Sequence, residues 1–370
     1  MRIVIVGGHM SPALAVMQAL PKDGQVWYIG RKHVFEGDKG ISLEYQTVTS
    51  LGIPFVPLTT GRLQRVWTRH SLFSYAKIPY GIFQAIAILR QIKPAVVLSF
   101  GGYLSLPVGI ASFLLRIPLV IHEQTQDAGF SNVLLKNIAT TIIVSFPTSL
   151  KYFPQQKTVL TGNPLYFGKA TKEAAQLIPQ GSLPLLLVTG GSTGSHDINL
   201  FVEKHLGVLL DHYRVIHQTG DAQIYQDYDR LMIVRSNLAQ QQRSRYIVTK
   251  FISPTDISFL FNEAALVISR SGINSVMQLL VLEKPAILFP LRTGQKNEQL
   301  KNATFLQEAG LADIVTETDM SNEAVIRLLA GRMKYHGITK EAKDIRSMHE
   351  KAAEHIVSLV YEAAGAKAKT

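Results

Sequence analysis

Short runs of β-branched and other apolar residues recur along the chain. Each ends in a glycine-rich or polar break, followed by a stretch with apolar positions at helical spacing. Arg2–Val6, Val26–Ile29, Ala95–Ser99, Leu119–Ile121, Thr141–Val144 and Thr158–Leu160 read as strands, with helices such as Pro12–Leu20 and Gly81–Gln91 between them. The series then restarts, with strands at Leu185–Thr189, Tyr213–Gln218, Arg245–Thr249, Leu266–Ser269 and Ala286–Phe289. Strand and helix in alternation predict parallel sheets with right-handed crossovers. The expected fold class is therefore α/β, with two doubly wound Rossmann-like domains facing across a cleft. Gly162, Pro164 and Gly168 punctuate the boundary. Residues 1–162 form the expected first domain and 163–345 the second. Residues 346–370 are a C-terminal helix returning to the first domain, with a small, polar, frayed tail.

Length and composition narrow the class. The 370 residues suffice for two ordinary domains, and 46% hydrophobic against 18% charged residues excludes global disorder. With no cysteine, disulfides and thiolate chemistry are excluded. The apolar opening is too short for a signal peptide and reads as a first strand. The apolar region Ala95–Ile121 is broken by Gly101, Gly102, Pro107, Arg116 and Pro118. A membrane span needs roughly 20 unbroken apolar residues, so a soluble or peripheral protein is expected.

Charge adds a possible partner. Residues 1–160 carry 15 Lys/Arg against 6 Asp/Glu, which supplies 9 of the net +11. Between Glu44 and Glu123 no acidic residue occurs, while Arg62, Arg65, Arg69, Lys77, Arg90, Lys93 and Arg116 do. They interleave with Leu72, Phe73, Ile78, Phe83 and Ile86. Basic and apolar residues together favour an anionic membrane surface, although a solvated basic face would look the same. No helix-turn-helix, zinc-finger or RNP pattern supports a nucleic-acid partner.

In doubly wound sheets, ligands bind beyond the carboxyl ends of the strands. The candidate chemistry sits there. Gly7-Gly8-His9 follows the first strand and opens a helix, where backbone amides are free for an anion or a sugar. Ser99-Phe100-Gly101-Gly102-Tyr103 repeats that logic, and each is equally readable as a tight packing turn. His122 and Glu123 end the strand PLVIHEQ, an expensive place for polar groups unless paired or functional. Gly190-Gly191-Ser192-Thr193-Gly194-Ser195 has the logic of a phosphate loop but lacks the Walker ending. His217-Gln218-Thr219-Gly220 ends another strand. Arg270-Ser271-Gly272 at a helix start forms a diphosphate cradle, with Gln278 further along that helix. Glu298, Gln299 and Asn302 share helical spacing, as a solvated face also would. No cluster with metal-ligand spacing stands out, so neither metal nor cofactor is expected. No GxGxxG opens either half, which argues against a nicotinamide enzyme.

Taken together, GGHMSPALAV, SFGGYLSLP, IHEQ with AGFSN, TGNP, GGSTGS, HQTG, SRSGINSV and EQLKNA resemble the undecaprenyl-diphospho-muramoylpentapeptide β-N-acetylglucosaminyltransferases of peptidoglycan synthesis. The resemblance runs from Met1 to about Ala312 and implies a B-type (GT-B) glycosyltransferase. It implies UDP-N-acetylglucosamine as donor, a lipid-linked muramyl-peptide acceptor, and action at the cytoplasmic face of the plasma membrane. It places His9 near sugar and acceptor, Tyr103 and Glu123 on the acceptor side, and Asn132 facing the donor sugar. Gly191 and Ser192 meet the diphosphate, Arg270, Ser271 and Gly272 surround the nucleotide, Gln278 reaches the ribose, and Glu298 and Gln299 hold sugar hydroxyls. The chain departs from the family at four places. The first loop is three residues shorter than GGTGGH, Thr125 replaces an asparagine, Tyr166 replaces an arginine, and Gln278 replaces a glutamate.

The expected reaction is direct inversion, with His9 as first choice of base and Glu123 as second. Other readings remain at this point. A UDP-sugar transferase to another lipid such as diacylglycerol shares the donor cradle and membrane patch. A sugar-nucleotide epimerase would use the same scaffold without an acceptor. A non-catalytic UDP-sugar-binding protein would bind without turnover.

Overall fold

The computed structural model describes residues 1–33, 40–61, 69–168, 171–191, 193–291, 297–316, 320–333 and 337–365. Its strands are β1 (Arg2–Val6), β2 (Gln25–Gly30), β3 (Phe55–Pro57), β4 (Val96–Ser99), β5 (Leu119–Glu123), β6 (Thr141–Val144) and β7 (Thr158–Leu160), then β8 (Leu185–Thr189), β9 (Arg214–Gln218), β10 (Tyr246–Thr249), β11 (Leu266–Ser269), β12 (Ala286–Leu288) and β13 (Ala312–Ile314). The chain divides into two units, Met1–Tyr166 with Met348–Thr370, and Phe167–Ser347.

In the first unit the described strands form one parallel sheet in the order β3-β2-β1-β4-β5-β6-β7. Strand β1 is apolar on both faces because helices cover both. Its Ile3 and Ile5 pack with Val96, Val120, Ile356 and Val360. Its Val4 and Val6 pack on the opposite side with Leu89, Val108 and Leu135. The C-terminal helix Ala352–Ala363 thus completes the first unit's core. Where the chain returns, His349 Nδ1 accepts a 2.6 Å hydrogen bond from the Asn163 amide.

The second unit repeats the plan, with its parallel sheet ordered β10-β9-β8-β11-β12-β13. Its core gathers Leu186 and Val188 of β8, Phe201 and Leu206 of the helix His196–His212, and Ile268 of β11. In each sheet the order reverses once, between β1 and β4 and between β8 and β11. Those two points are where a doubly wound sheet opens a crevice for ligand.

Two strands, β3 and β13, escape the hydrophobic pattern. Each is three residues long and lies at a sheet edge; one ends in Pro57, the other contains Asp313. Proline and charge are tolerated at an edge, where half the backbone groups have no partner strand. The helix expected at Gly81–Gln91 extends over Arg69–Ile92 and runs through Pro79. Among the described residues no helix is long and apolar enough to cross a membrane.

Ile356 is fully buried in the core cluster that also holds Ile3 and Ile5 of β1. Ile356→Ala is expected to destabilise the first unit by about 2–5 kcal/mol. Urea unfolding followed by tryptophan fluorescence measures it, since Trp27 and Trp67 both fall within residues 1–166.

Candidate active site

In the first unit the switch point is built from two glycine loops pressed backbone to backbone. A Cβ on Gly8 would lie 2.3 Å from the Gly101 carbonyl oxygen, and one on Gly102 would lie 3.1 Å from the Gly8 Cα. Gly101 and Gly102 have φ of +77° and +79°, the left-handed region that glycine adopts freely. Gly7 is constrained from behind. A Cβ there would sit 1.8 Å from Glu44 Oε1, a carboxylate held by the Tyr28 hydroxyl at 2.7 Å and the Arg31 amide at 3.1 Å. Burial raises the Glu44 pKa.

His9 follows in extended backbone and precedes the helix Met10–Ala19. The residue is exposed, yet the protein crowded around it disfavours the imidazolium and lowers its pKa to about 4. Solvent at the ring moderates the shift without changing its direction, so His9 is neutral at pH 7. Tyr103 is half-buried and packs against the core beneath Leu104 and Val108.

Glu123 and Asn132 come together. Glu123 Oε1 accepts from the Thr125 amide (3.1 Å) and hydroxyl (2.7 Å); Oε2 accepts from the Gly129 amide (2.6 Å) and Asn132 Nδ2 (3.0 Å). Asn132 Nδ2 also donates to the His122 carbonyl at 3.1 Å. This buried carboxylate fixes the loop from Gln124 to Asn132. Thr125, which replaces the asparagine that the resemblance leads one to expect, is one of its donors. His122 points to the other face of β5 and meets Ser145 Oγ at 3.1 Å. Burial lowers its pKa to about 3, with a contribution from His9.

In the second unit the loop after β8 and the loop after β11 meet through charge. Arg270 forms a 2.9 Å ion pair with Asp197, in the first turn of the helix that follows the glycine loop, and donates to the Phe289 carbonyl at 3.1 Å. Ser271 is fully buried and its hydroxyl donates to the Gln299 carbonyl at 2.7 Å. Asn302 Nδ2 returns a 3.1 Å bond to the Ser271 carbonyl, and Gln299 Oε1 accepts from the Leu291 amide at 3.0 Å. So Arg270, Ser271 and Gln299 form one braced corner, with Glu298 half-buried at the start of the helix Glu298–Glu308. Gln278 is largely buried on the helix Ile273–Val281. At Gly191 and Gly272 a Cβ would meet nothing within 4 Å among the described residues. Ser192 lies outside the described residues, as do the side chains of Arg62, Arg65, Arg69, Leu72 and Phe73.

One feature escapes sequence reasoning. Asp227 is buried and accepts from Asn199 Nδ2 (2.7 Å), Arg230 (2.6 Å) and the His196 ring (2.9 Å). Burial raises its pKa, but these hydrogen bonds outweigh that and leave it lowered. Asn199 continues to the Thr219 carbonyl at 3.0 Å and to His217 Nε2 at 2.9 Å; His217 Nδ1 meets the Tyr246 hydroxyl at 2.9 Å. The partners are 28 residues apart in the chain, with no motif joining them. Among the described residues no three His, Cys, Asp or Glu side chains gather as a metal site.

The chain matches the glycosyltransferase family 28 N-terminal domain over residues 6–144 and the glycosyltransferase family 28 C-terminal domain over residues 185–357. It is 32% identical to a Lachnospira eligens protein named UDP-N-acetylglucosamine–N-acetylmuramyl-(pentapeptide) pyrophosphoryl-undecaprenol N-acetylglucosamine transferase, covering 90% of this chain and 92% of the relative. A Treponema pallidum protein of the same name is 32% identical over 87% of this chain and 83% of its own. Among solved structures, Acinetobacter baumannii MurG superposes with a TM-score of 0.63 at 25% identity, covering 98% of this chain and 99% of that one. A UDP-GlcNAc 2-epimerase from Neisseria meningitidis superposes at 0.65 with 14% identity over 98% of this chain and 100% of its own, a likeness of fold alone.

Three buried histidines make stability depend on pH. Burial lowers His122 and His217 to about 3 and His349 to about 4. An unfolded histidine titrates near 6.5, so below that pH the unfolded chain binds more protons than the folded one. The stabilisation is complete above about pH 6.5 and is lost as pH falls toward the folded values. Each such histidine is expected to steepen the loss by up to about 1.4 kcal/mol per pH unit. Urea midpoints between pH 7.5 and 5 check this; a flat profile contradicts it.

Proposed function

Because this chain belongs to glycosyltransferase family 28, we infer that it transfers N-acetylglucosamine from UDP-N-acetylglucosamine to the muramyl-pentapeptide carried on undecaprenyl diphosphate, the lipid I to lipid II step of peptidoglycan synthesis. The observation that carries this is 32% identity over 90% of the chain to a transferase of that name. A turnover assay with radiolabelled UDP-N-acetylglucosamine and a short-chain lipid-linked muramyl peptide tests it. Label released from UDP without transfer, UDP-sugar converted without acceptor, or binding without turnover would each refute it.

For the mechanism we propose direct inversion, the acceptor's 4-hydroxyl attacking the anomeric carbon as UDP leaves. The diphosphate is held in the second unit. The helix Ile273–Val281 starts at Gly272 with no side-chain cap, and a helix N-terminus of that kind suits an anion. The helix His196–His212 opens directly after the Gly190–Ser195 loop. Arg270 adds charge between the two loops, shared with Asp197. Electrostatic preorganisation of this kind stabilises a developing negative charge without reorganisation.

His9 is the base in this reading. A neutral imidazole is ready to accept the hydroxyl proton at pH 7, whereas both oxygens of Glu123 are occupied by donors from Thr125, Gly129 and Asn132. Glu123 then acts by holding the acceptor-side loop. His9→Ala is expected to lower kcat by about 100- to 10,000-fold. If instead it leaves turnover nearly unchanged while Glu123→Ala abolishes it, the base assignment reverses.

The acceptor is a lipid, and the first unit offers a surface for its membrane. The helices Arg69–Ile92, Ser105–Leu114 and Phe130–Leu135 pack in sequence beside one another. They expose Tyr80, Phe83, Phe113, Leu114, Phe130 and Leu134, with Phe83 72% exposed, and Arg90 and Arg116 are exposed in the same region of the chain. We propose that this face docks on the anionic cytoplasmic leaflet. The Phe83→Asp/Leu114→Asp pair is expected to release the protein from phosphatidylglycerol vesicles in a co-sedimentation assay. Unchanged sedimentation would exclude this face.

A further inference from the structure

At the end of β9 nearly every polar group is satisfied by a neighbour. His217 uses both ring nitrogens, on Tyr246 and Asn199. The Thr219 hydroxyl donates to the Gly220 carbonyl at 2.9 Å, and the Thr219 carbonyl accepts from Asn199. Gly194 and Gly220 are packed so closely that a Cβ on Gly220 would lie 2.4 Å from the Gly194 Cα. The backbone on both sides of Gln218 is therefore fixed.

Gln218 itself is the exception. It is 3% exposed, and its Nε2 donates at 2.8 Å to the carbonyl of Gly191, in the glycine loop after β8. A carbonyl only accepts, so this bond identifies the nitrogen end of the amide. The other end, Oε1, is an acceptor, and it is buried with no hydrogen-bond partner among the described residues. Native structures rarely leave such an atom unpaired, and each instance calls for a physical reason. Oε1 belongs to the same planar amide that holds Gly191, so it lies beside the glycine loop. Gly191 itself has φ of +83°, and among the described residues nothing lies within 4 Å of where its Cβ would stand.

The missing partner must supply a proton. A diphosphate at neutral pH offers only acceptor oxygens and cannot. A hydroxyl of the ribose or the sugar can, and so can an amide N–H. We propose that Gln218 is a donor-binding residue: its Oε1 accepts a hydrogen bond from a hydroxyl or amide N–H of UDP-N-acetylglucosamine, while its Nε2 sets the Gly191 carbonyl. This rests on the second unit's glycine loop being the nucleotide-sugar site. The geometry makes Gln218 sensitive to hydrogen-bearing groups of the donor outside the diphosphate.

The test is titration calorimetry on the full chain. The ligands are UDP-N-acetylglucosamine, UDP, and donor analogues each lacking one ribose hydroxyl, one sugar hydroxyl, the acetamido group or the uracil N3 hydrogen. Gln218→Met keeps the side-chain length without polar atoms; Gln218→Leu replaces it if the first variant does not fold. The variant is expected to bind the natural donor about tenfold more weakly, the size of one uncharged hydrogen bond. One analogue is expected to bind the wild type about tenfold more weakly and the variant with no further loss, the coupling that marks a direct contact. If UDP alone shows the variant's loss, the group lies on the nucleoside; if only the sugar nucleotide shows it, the group lies on the sugar. With that analogue coupling present, either result supports the proposal. If every analogue loses the same factor against wild type and variant, Gln218 only positions Gly191 and the proposal fails. A wild type that binds neither UDP nor UDP-N-acetylglucosamine refutes the underlying site assignment instead.

Discussion

Close approach of glycine backbones at the two switch points is the constraint on which this architecture depends. A doubly wound sheet opens its crevice where the strand order reverses, but the loops there must also lie against each other. Gly8 against Gly101 does this in the first unit, and Gly194 against Gly220 in the second. In both, a single Cβ would fall 2.3–2.4 Å from backbone atoms of the facing loop, well inside contact distance. The glycines hold the loops together; behind them the helix Met10–Ala19 has no side-chain cap, whereas the helix His196–His212 is capped by Ser195 Oγ, which accepts from the Ile198 amide. One steric rule therefore gives each unit its compact switch point.

Around those loops, charge is used mainly to build. Glu44 fills the space behind Gly7. Glu123 fastens the loop Gln124–Asn132, and Asp227 fastens the first turn of the helix His196–His212 to the turn after β9. Each of these carboxylates is largely buried and receives at least two hydrogen bonds. Buried ions are stable only when so compensated. A carboxylate compensated in this way is a weak candidate for moving protons. His9 differs, since its surroundings keep it neutral while solvent still reaches it.

The two units thus divide the chemistry. The second gathers Arg270 and the braced corner of Ser271, Gln299 and Asn302, where the proposed mechanism holds the nucleotide diphosphate. The first places a neutral imidazole beside glycine loops and carries the exposed aromatic and aliphatic residues suited to a lipid-borne substrate. Membership of glycosyltransferase family 28 joins these halves into a single transfer reaction.

The alternation of short apolar runs with helical stretches determined the α/β class, most strand positions and the placing of the glycine motifs at strand ends, because period and punctuation are local properties of a chain. Motif order likewise fixed the family. The edge strands β3 and β13 were not legible, since three residues with a proline or an aspartate carry no period and gain their pairing only from the neighbouring strand. Nor was the corner around Arg270 legible as a brace: Asp197 lies 73 residues away from it in the chain, and only the sheet order sets the two loops side by side. The same holds for Asp227 and for the unpaired oxygen of Gln218. Whether a polar atom is satisfied depends on which distant groups the fold brings within about 3 Å, and that is decided by tertiary structure alone.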